Sequence, residues 1–332
     1  MKIKIEEIKQ LCADILLKEG LSKEESQIIV KEYLYGELRG EKSHGFASFL
    51  KFAVEKINSK KGELKILKED DAYALIDANG NIGQLVGKYA MELAITKAKK
   101  TGIAIVGIKN MESYLMPGYY ANMASEKNMI GIAINNSKSR VAPSGGTEPK
   151  LGTNPIGLAI PTNNVSFILD MATSTRAMSE VRLAEKLGEL LSENMALNED
   201  GKPTRDPDKV NALNPFGGYK GYGLCMGIEI LAGSFVRAKM GSKIKNGLDR
   251  GYLFVVINPE IFVDIETFKE ETTRLIQEIK SSQKSKGVDK ILIAGERAEK
   301  LKKENLHKGY FEIDEKIVEE IWGLLLQKSS KT

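Results

Sequence analysis

"AYALIDANGNIGQLVGKYAMELAITKAKKTGIAIVGI", Ala72 to Ile108, is the stretch whose reading decides the fold class. It opens on a short apolar run, AYALID, which reads as a strand. Ile82 to Lys100 is long and carries the mixed apolar and charged pattern of a helix, closed by Gly102. IAIVGI, Ile103 to Ile108, returns to an apolar run of strand length. A strand–helix–strand alternation predicts an α/β layer architecture.

The same reading extends in both directions. MIGIAIN (129–135) and YLFVVINP (252–259) are further strands. Upstream, Ile5, Ile8, Leu11, Cys12, Ile15 and Leu16 recur at helical spacing and predict a helix with one buried stripe. Ser22 stands three residues ahead of Glu25, a capping box that opens a second helix toward Arg39. RGEKSHG (39–45) follows as a polar loop carrying His44. From Asn135 to Tyr222 the chain is rich in Gly, Pro, Asn and Thr, with the short strands GLAIP and VSFILD. So many turn residues predict an insert of loops and strands that carries a site. YGLCMGIEILAGSFV (222–236) reads as a helix buried all round, and the chain ends in long charged helices. The organisation expected is a helical terminal unit from 1–62 and 265–332, a central α/β unit from 63–134 and 221–264, and an inserted lobe from 135–220.

Composition narrows the function classes. The chain has 332 residues, 42% hydrophobic and 28% charged, with a net charge of +4. That is ordinary globular composition, and Lys and Glu are interleaved rather than clustered, which argues against a nucleic-acid binder. Cys12 and Cys225 lie far apart in apolar surroundings without metal-ligand spacing, so a reduced, cytoplasmic protein is expected. The amphipathic N-terminus carries acids, unlike a signal or transit peptide. No apolar run is long enough to span a bilayer, and no membrane partner is expected. Nothing resembles a Ser–His–Asp set, a zinc site or the paired carboxylates of a glycosidase.

Several motifs carry chemistry. GGYKGYGL (217–224) concentrates glycines around Lys220 just before a helix. Backbone amides at a helix start, with a lysine beside them, suit a phosphate or carboxylate, or form only a tight turn. It is neither a Walker A loop nor GxGxxG. LDMATS (169–174) puts Asp170, Thr173 and Ser174 directly after a strand, where polar groups face ligands in α/β proteins, or cap a helix. His44 in KSHG is a loop histidine open to a catalytic or a structural reading.

Taken in order, RGEKSHG, IDANGNIGQLVG, APSGGTEPKLGTNPIGLAIP, LDMATS, GKPTRDP and GGYKGYGL resemble the malate/L-lactate dehydrogenase family that lacks a Rossmann fold. That family includes sulfolactate and ureidoglycolate dehydrogenases, diketogulonate reductase and a cyclic-imine reductase. The resemblance covers roughly Ile5 to Glu296. It implies a homodimer of an unusual α/β fold, a mixed sheet with helical terminal segments and an inserted lobe. NAD or NADP and a small-molecule substrate would bind in a cleft between domains and partly across the dimer. It places His44 beside nicotinamide and substrate. Asp170, Met171, Ala172, Thr173, Ser174 and Lys220 would line the cofactor and substrate site. Gly295 and Glu296, in IAGER, match a PGE motif that contacts the cofactor in relatives, with Ala294 in place of proline.

Three departures fall on the reacting side. Relatives carry an Asn-Ser-x-His motif followed by an aromatic residue, and that histidine faces the substrate oxygen; here the position is Ser113, followed by Tyr114. The arginine that grips the substrate carboxylate is Ser48, and the Gly-Lys pair after DMATS is Ser179-Glu180. A serine does not readily donate a proton at neutral pH. Three readings remain: His44 or Tyr114 supplies the proton; the substrate is an imine that arrives protonated; or the chain is a non-redox, binding or inactive relative. The leading expectation is an oxidoreductase that moves a hydride between nicotinamide and a small 2-oxo or 2-hydroxy acid or cyclic imine.

Overall fold

The computed structural model describes residues 1–50, 57 and 62–327. Its centre is a seven-stranded sheet in the order β2-β3-β4-β11-β5-β6-β7. The strands are β2 Lys65–Asp70, β3 Tyr73–Asp77, β4 Ile103–Lys109, β5 Ile130–Asn135, β6 Ile156–Ile160, β7 Phe167–Met171 and β11 Gly251–Ile257. β3 and β4 are parallel; every other neighbouring pair is antiparallel. The parallel pair requires a crossover, and helix α3, Gly83–Thr101, supplies it, ending on Gly102 in the left-handed region at φ 81°. The stretch from Ala72 to Ile108 is therefore a β-α-β unit, as its pattern predicts.

IAIVGI is apolar at nearly every position because the sheet is covered on both faces. Ala104, Val106 and Ile108 join Ala133, Tyr252 and Phe254 under α3 and α4, Pro117–Ser125. Ile105, Ile132, Ile134 and Leu253 point the other way, toward Ile228 of α6, Tyr219–Ala232.

A second core joins the two ends of the chain. α1 (Ile5–Lys18), α2 (Lys23–Leu38) and α9 (Glu315–Gln327) pack around Ile8, Cys12, Leu16, Ile29, Tyr33, Phe311 and Ile321. All six residues of the predicted α1 stripe are buried, and the capping box forms, Ser22 N–H donating to Glu25 and Glu25 N–H to Ser22 Oγ. β1 (Lys2–Lys4) and β12 (Tyr310–Glu312) pair antiparallel and tie the ends together. Three-residue strands carry too little alternation to be read from sequence.

Three features differ from expectation. β6 and β7 come from the 135–220 segment, yet they extend the central sheet as a hairpin. What remains of that segment carries α5 (Met178–Leu187) and a small sheet of β8 (Ala196–Leu197), β9 (Pro203–Thr204) and β10 (Ala212–Leu213). α7 (Ile265–Ser281) has no buried residue among the described chain. It lies by the β6–β7 turn, where Asn163 N–H donates to Thr273 Oγ1 at 3.1 Å, so the terminal core begins after it. α6 is not buried all round: Gly221, Cys225, Ile228, Glu229 and Ala232 face the protein, while Met226, Ile230 and Leu231 are exposed. One helix laid on a sheet covers only one stripe, whatever its overall hydropathy.

Candidate active site

A cleft of about 790 Å³ opens where these units meet. Its walls come from the end of α2 and the turn after it (Tyr35, Arg39, Glu41 to His44), the loop before α4 (Leu115 to Pro117), and the C-terminal end of β7 with the following loop (Asp170 to Met171, Ser174 to Ala177). Phe216 and the start of α8, Glu296–Lys308, complete it. The end of an edge strand next to a lobe of turns is where α/β folds place ligands.

A close approach sets the floor. A Cβ on Gly118 would lie 2.6 Å from Asp170 Oδ2 and 2.7 Å from Asp170 Cβ, so only glycine lets α4 start beside β7. That contact lets Gly118 N–H donate to Asp170 Oδ2 at 2.9 Å. Behind it, Glu32 Oε1 accepts from the amides of Leu115 (3.0 Å) and Met116 (3.2 Å), and Glu32 Oε2 from Tyr120 Oη at 2.9 Å. Glu32 is fully buried, and burial lifts its carboxyl to about 7 against the pull of those donors, with the charge of Asp170 adding to the rise. Asp170 also rises to about 7, chiefly from the protein packed round its carboxyl, then from Glu41; the Gly118 amide and Arg39 oppose this. Asp170 keeps exposed surface, so water hydrates it and tempers that rise until something fills the cleft.

Positive ends face the same space. The N-caps of α4, α5 and α8 are Met116, Ala177 and Gly295, none capping its helix with its own side chain; the α4 start is filled by Asp170 on its Gly118 amide, and those of α5 and α8 stay uncapped. All three line the cleft. Uncapped helix starts present amide donors and a positive dipole to an anion. Arg176 and Arg297 stand beside them. Acids in the first turn of α8 are neutralised: Glu296 pairs with Lys280 at 2.5 Å and Glu299 with buried Arg39 at 2.5 Å. Tyr35 Oη is buried without a hydrogen-bond partner among the described residues and belongs to the lining.

The structure brings together His44, Asp170, Met171, Ala172, Ser174 and Gly295. His44 is partly buried, which pushes its pKa down; its Nδ1 lies 3.1 Å from Ser43 Oγ. Other expected residues lie elsewhere. Ser113 accepts a hydrogen bond from Arg250, at the foot of β11, and does not line the cleft. Tyr114 is sandwiched in the core, its ring 4.6 Å from Tyr120 and 5.0 Å from Tyr252, and burial raises its phenol far above the usual value. Ser48 is buried and donates to Gly45 O at 2.9 Å. Thr173 donates to Thr153 O at 2.9 Å beneath the cleft. Lys220 is exposed at the start of α6, outside the lining. Glu296 borders a neighbouring cavity of about 430 Å³ that shares Ile293 with the cleft. Glu180 lines the cleft, and the side chain of Ser179 lies outside the described residues.

Sequence reasoning missed Tyr35, Arg39, Arg176 and Arg297. Arg39 heads RGEKSHG, but nothing local says that its guanidinium reaches Glu299. Arg297 follows IAGE directly, so its place beside a helix start was open to inference.

Known proteins share this sequence pattern and fold. The family model described as malate/L-lactate dehydrogenase matches residues 3–322. A malate/(S)-sulfolactate dehydrogenase of Methanothermus fervidus is 39% identical over 97% of this chain and 96% of its own. The structure of sulfolactate dehydrogenase from Methanocaldococcus jannaschii superposes with a TM-score of 0.90 at 38% identity, covering 98% of this chain and 96% of that one. A malate dehydrogenase from Entamoeba histolytica gives a TM-score of 0.92 at 27% identity over 98% and 97%. The chain belongs to the malate/L-lactate dehydrogenase family.

Proposed function

We propose that the protein is a nicotinamide-dependent oxidoreductase that interconverts a small 2-oxo acid and its 2-hydroxy acid, or reduces a cyclic imine, using NAD or NADP. The observation that carries this reading is the cleft itself. It combines anion-receptive helix starts and arginines at one set of walls with a histidine and an acid at another. Family membership favours a dehydrogenase over a non-redox or binding role.

The residues fit a dinucleotide. The amides at Ala177 and Gly295, with Arg176 and Arg297, suit phosphate oxygens. The orphan Tyr35 hydroxyl suits a further polar group of a ligand. When bound, the nicotinamide supplies or takes the hydride. The chain's own part is to hold the reacting carbon in place, exclude water and exchange one proton. His44, kept neutral at pH 7 by its lowered pKa, is suited to hold a substrate oxygen or carboxamide by hydrogen bonding rather than by charge.

The proposed assembly is a cytoplasmic homodimer. Ile230, Leu231 and Phe235 on and just after α6 are exposed at 50%, 44% and 60%. An apolar face of that kind fits an interface between like subunits. No described helix is long and apolar enough to cross a membrane.

Calorimetry with NAD⁺, NADH, NADP⁺ and NADPH tests the cofactor. Loss of nicotinamide absorbance with oxaloacetate, pyruvate, 3-sulfopyruvate and a cyclic imine carboxylate tests the reaction. No heat with any of the four dinucleotides would retire the reading.

A further inference from the structure

We infer that Asp170 is the group that exchanges the proton with the substrate heteroatom, in place of any side chain of the loop between β4 and α4. The inference rests on the oxidoreductase reading above and names a residue for a step that reading leaves unassigned.

The geometry argues by position. Of the loop residues expected to serve, Ser113 is held by Arg250 and Tyr114 is locked among aromatic rings, so neither reaches the cleft. Asp170 does. It stands at the end of β7 with one oxygen, Oδ2, anchored by the Gly118 amide, while Oδ1 has no hydrogen-bond partner among the described residues. A carboxyl fixed at one oxygen and open at the other has the form of a general acid–base group.

Its surroundings suit proton exchange near neutrality. Beside the burial of its carboxyl, Glu41 and Arg39 from the turn after α2 and the Gly118 amide from α4 act on it, and its own charge raises Glu32 of α2 behind it. Burial and Glu41 hold the proton on; the amide and Arg39 pull it off. Arg39 is itself partly satisfied by Glu299. With the cleft filled and its water displaced, the balance places the carboxyl at about 7, where an acid gives and recovers protons most effectively.

In the reducing direction, the hydride from the reduced nicotinamide forms a C–H bond at the carbonyl carbon as the C=O π bond breaks. The oxygen takes the proton from Asp170, forming O–H and leaving a carboxylate. Water then returns the proton. The oxidising direction runs these transfers in reverse.

The test uses the full chain and Asp170→Asn, which keeps an oxygen for the Gly118 amide. With dinucleotide filling the cleft, a carboxylic acid band in the infrared spectrum, present at pH 6 and lost by pH 8, should persist in Glu32→Gln, which removes the Glu32 contribution, and vanish in the Glu32→Gln/Asp170→Asn double variant. Asp170→Asn should still bind dinucleotide, while single-turnover hydride transfer to the best 2-oxo acid at saturating dinucleotide falls about 10²–10⁴-fold. The wild-type reduction rate should decline as pH rises through 7, and the variant's residual rate should be flat. If the wild type binds no dinucleotide, the oxidoreductase reading falls and takes this inference with it. If dinucleotide binds and Asp170→Asn transfers hydride at the wild-type rate, or the infrared band survives in the double variant, the inference alone falls.

Discussion

Glu32 and Asp170 grip neighbouring amides at one helix start: Glu32 takes those of Leu115 and Met116, and Asp170 that of Gly118. Only Pro117, which has no N–H, stands between them. Two carboxyls share the positive end of α4, and the charge of Asp170 makes Glu32 harder to ionise. One is sealed in the core and the other opens to the cleft, so environment divides a structural role from a chemical one.

Glu32 gives stability a pH dependence. Its folded pKa of about 7 lies above the ordinary 4.5, so the folded state holds the proton more tightly than the unfolded chain. The contribution is most favourable below the unfolded value and is lost as pH rises to about 7. Glu32→Gln removes this term, and its stability relative to wild type should rise between pH 4.5 and 8 by on the order of 3 kcal/mol. Urea titrations of both proteins at several pH values measure it; parallel curves would show that Glu32 does not titrate there.

His44→Asn should weaken hydride transfer by about 10²-fold while leaving the melting temperature close to wild type, because the side chain is only partly buried and bonds only Ser43. Stopped-flow absorbance and calorimetry separate the two effects. A full rate in the variant would make His44 a structural residue.

Tyr114→Phe should behave in the opposite way. The hydroxyl is buried without a hydrogen-bond partner among the described residues, so its removal costs no bond there and leaves the ring contacts intact. Stability should stay level or rise by up to about 1 kcal/mol, with turnover unchanged. A large loss of turnover would place the phenol in the chemistry after all.

Glu229 fastens α6 to the sheet end. It accepts from Asn154 Nδ2 at 2.6 Å, Asn136 Nδ2 at 3.3 Å and the Gly241 amide at 2.8 Å. Glu229→Ala strands several buried donors and should cost about 3–5 kcal/mol, read as a shift of the urea midpoint.

The apolar face of α6 should be the dimer contact. Ile230→Glu with Phe235→Glu, both exposed in the single chain, should convert a dimer to a monomer by light scattering with the secondary structure unchanged. A wild-type monomer would remove the proposed assembly.

By itself the sequence determined the layers. The apolar runs and their lengths place strand, crossover helix and strand between Ala72 and Ile108, because burial on both faces demands uninterrupted apolar residues there. The α1 stripe and the Ser22–Glu25 cap are equally local, each specified within a few residues. Of the ordered motifs, RGEKSHG, GTNP and LDMATS reach the cleft. Only the tertiary structure decided which side chains enter it. Ser113, Tyr114 and Lys220 sit in or beside those motifs and turn elsewhere, while Arg39, held by Glu299 at a separation of 260 residues, turns in. Asp170 is legible as a residue after a strand, but not as an acid that titrates near neutrality. That property comes from the protein packed round its carboxyl and from Glu41, opposed by the Gly118 amide and Arg39, all of which only folding brings near it, and such a field decays too steeply with distance and hydration to be read along a chain.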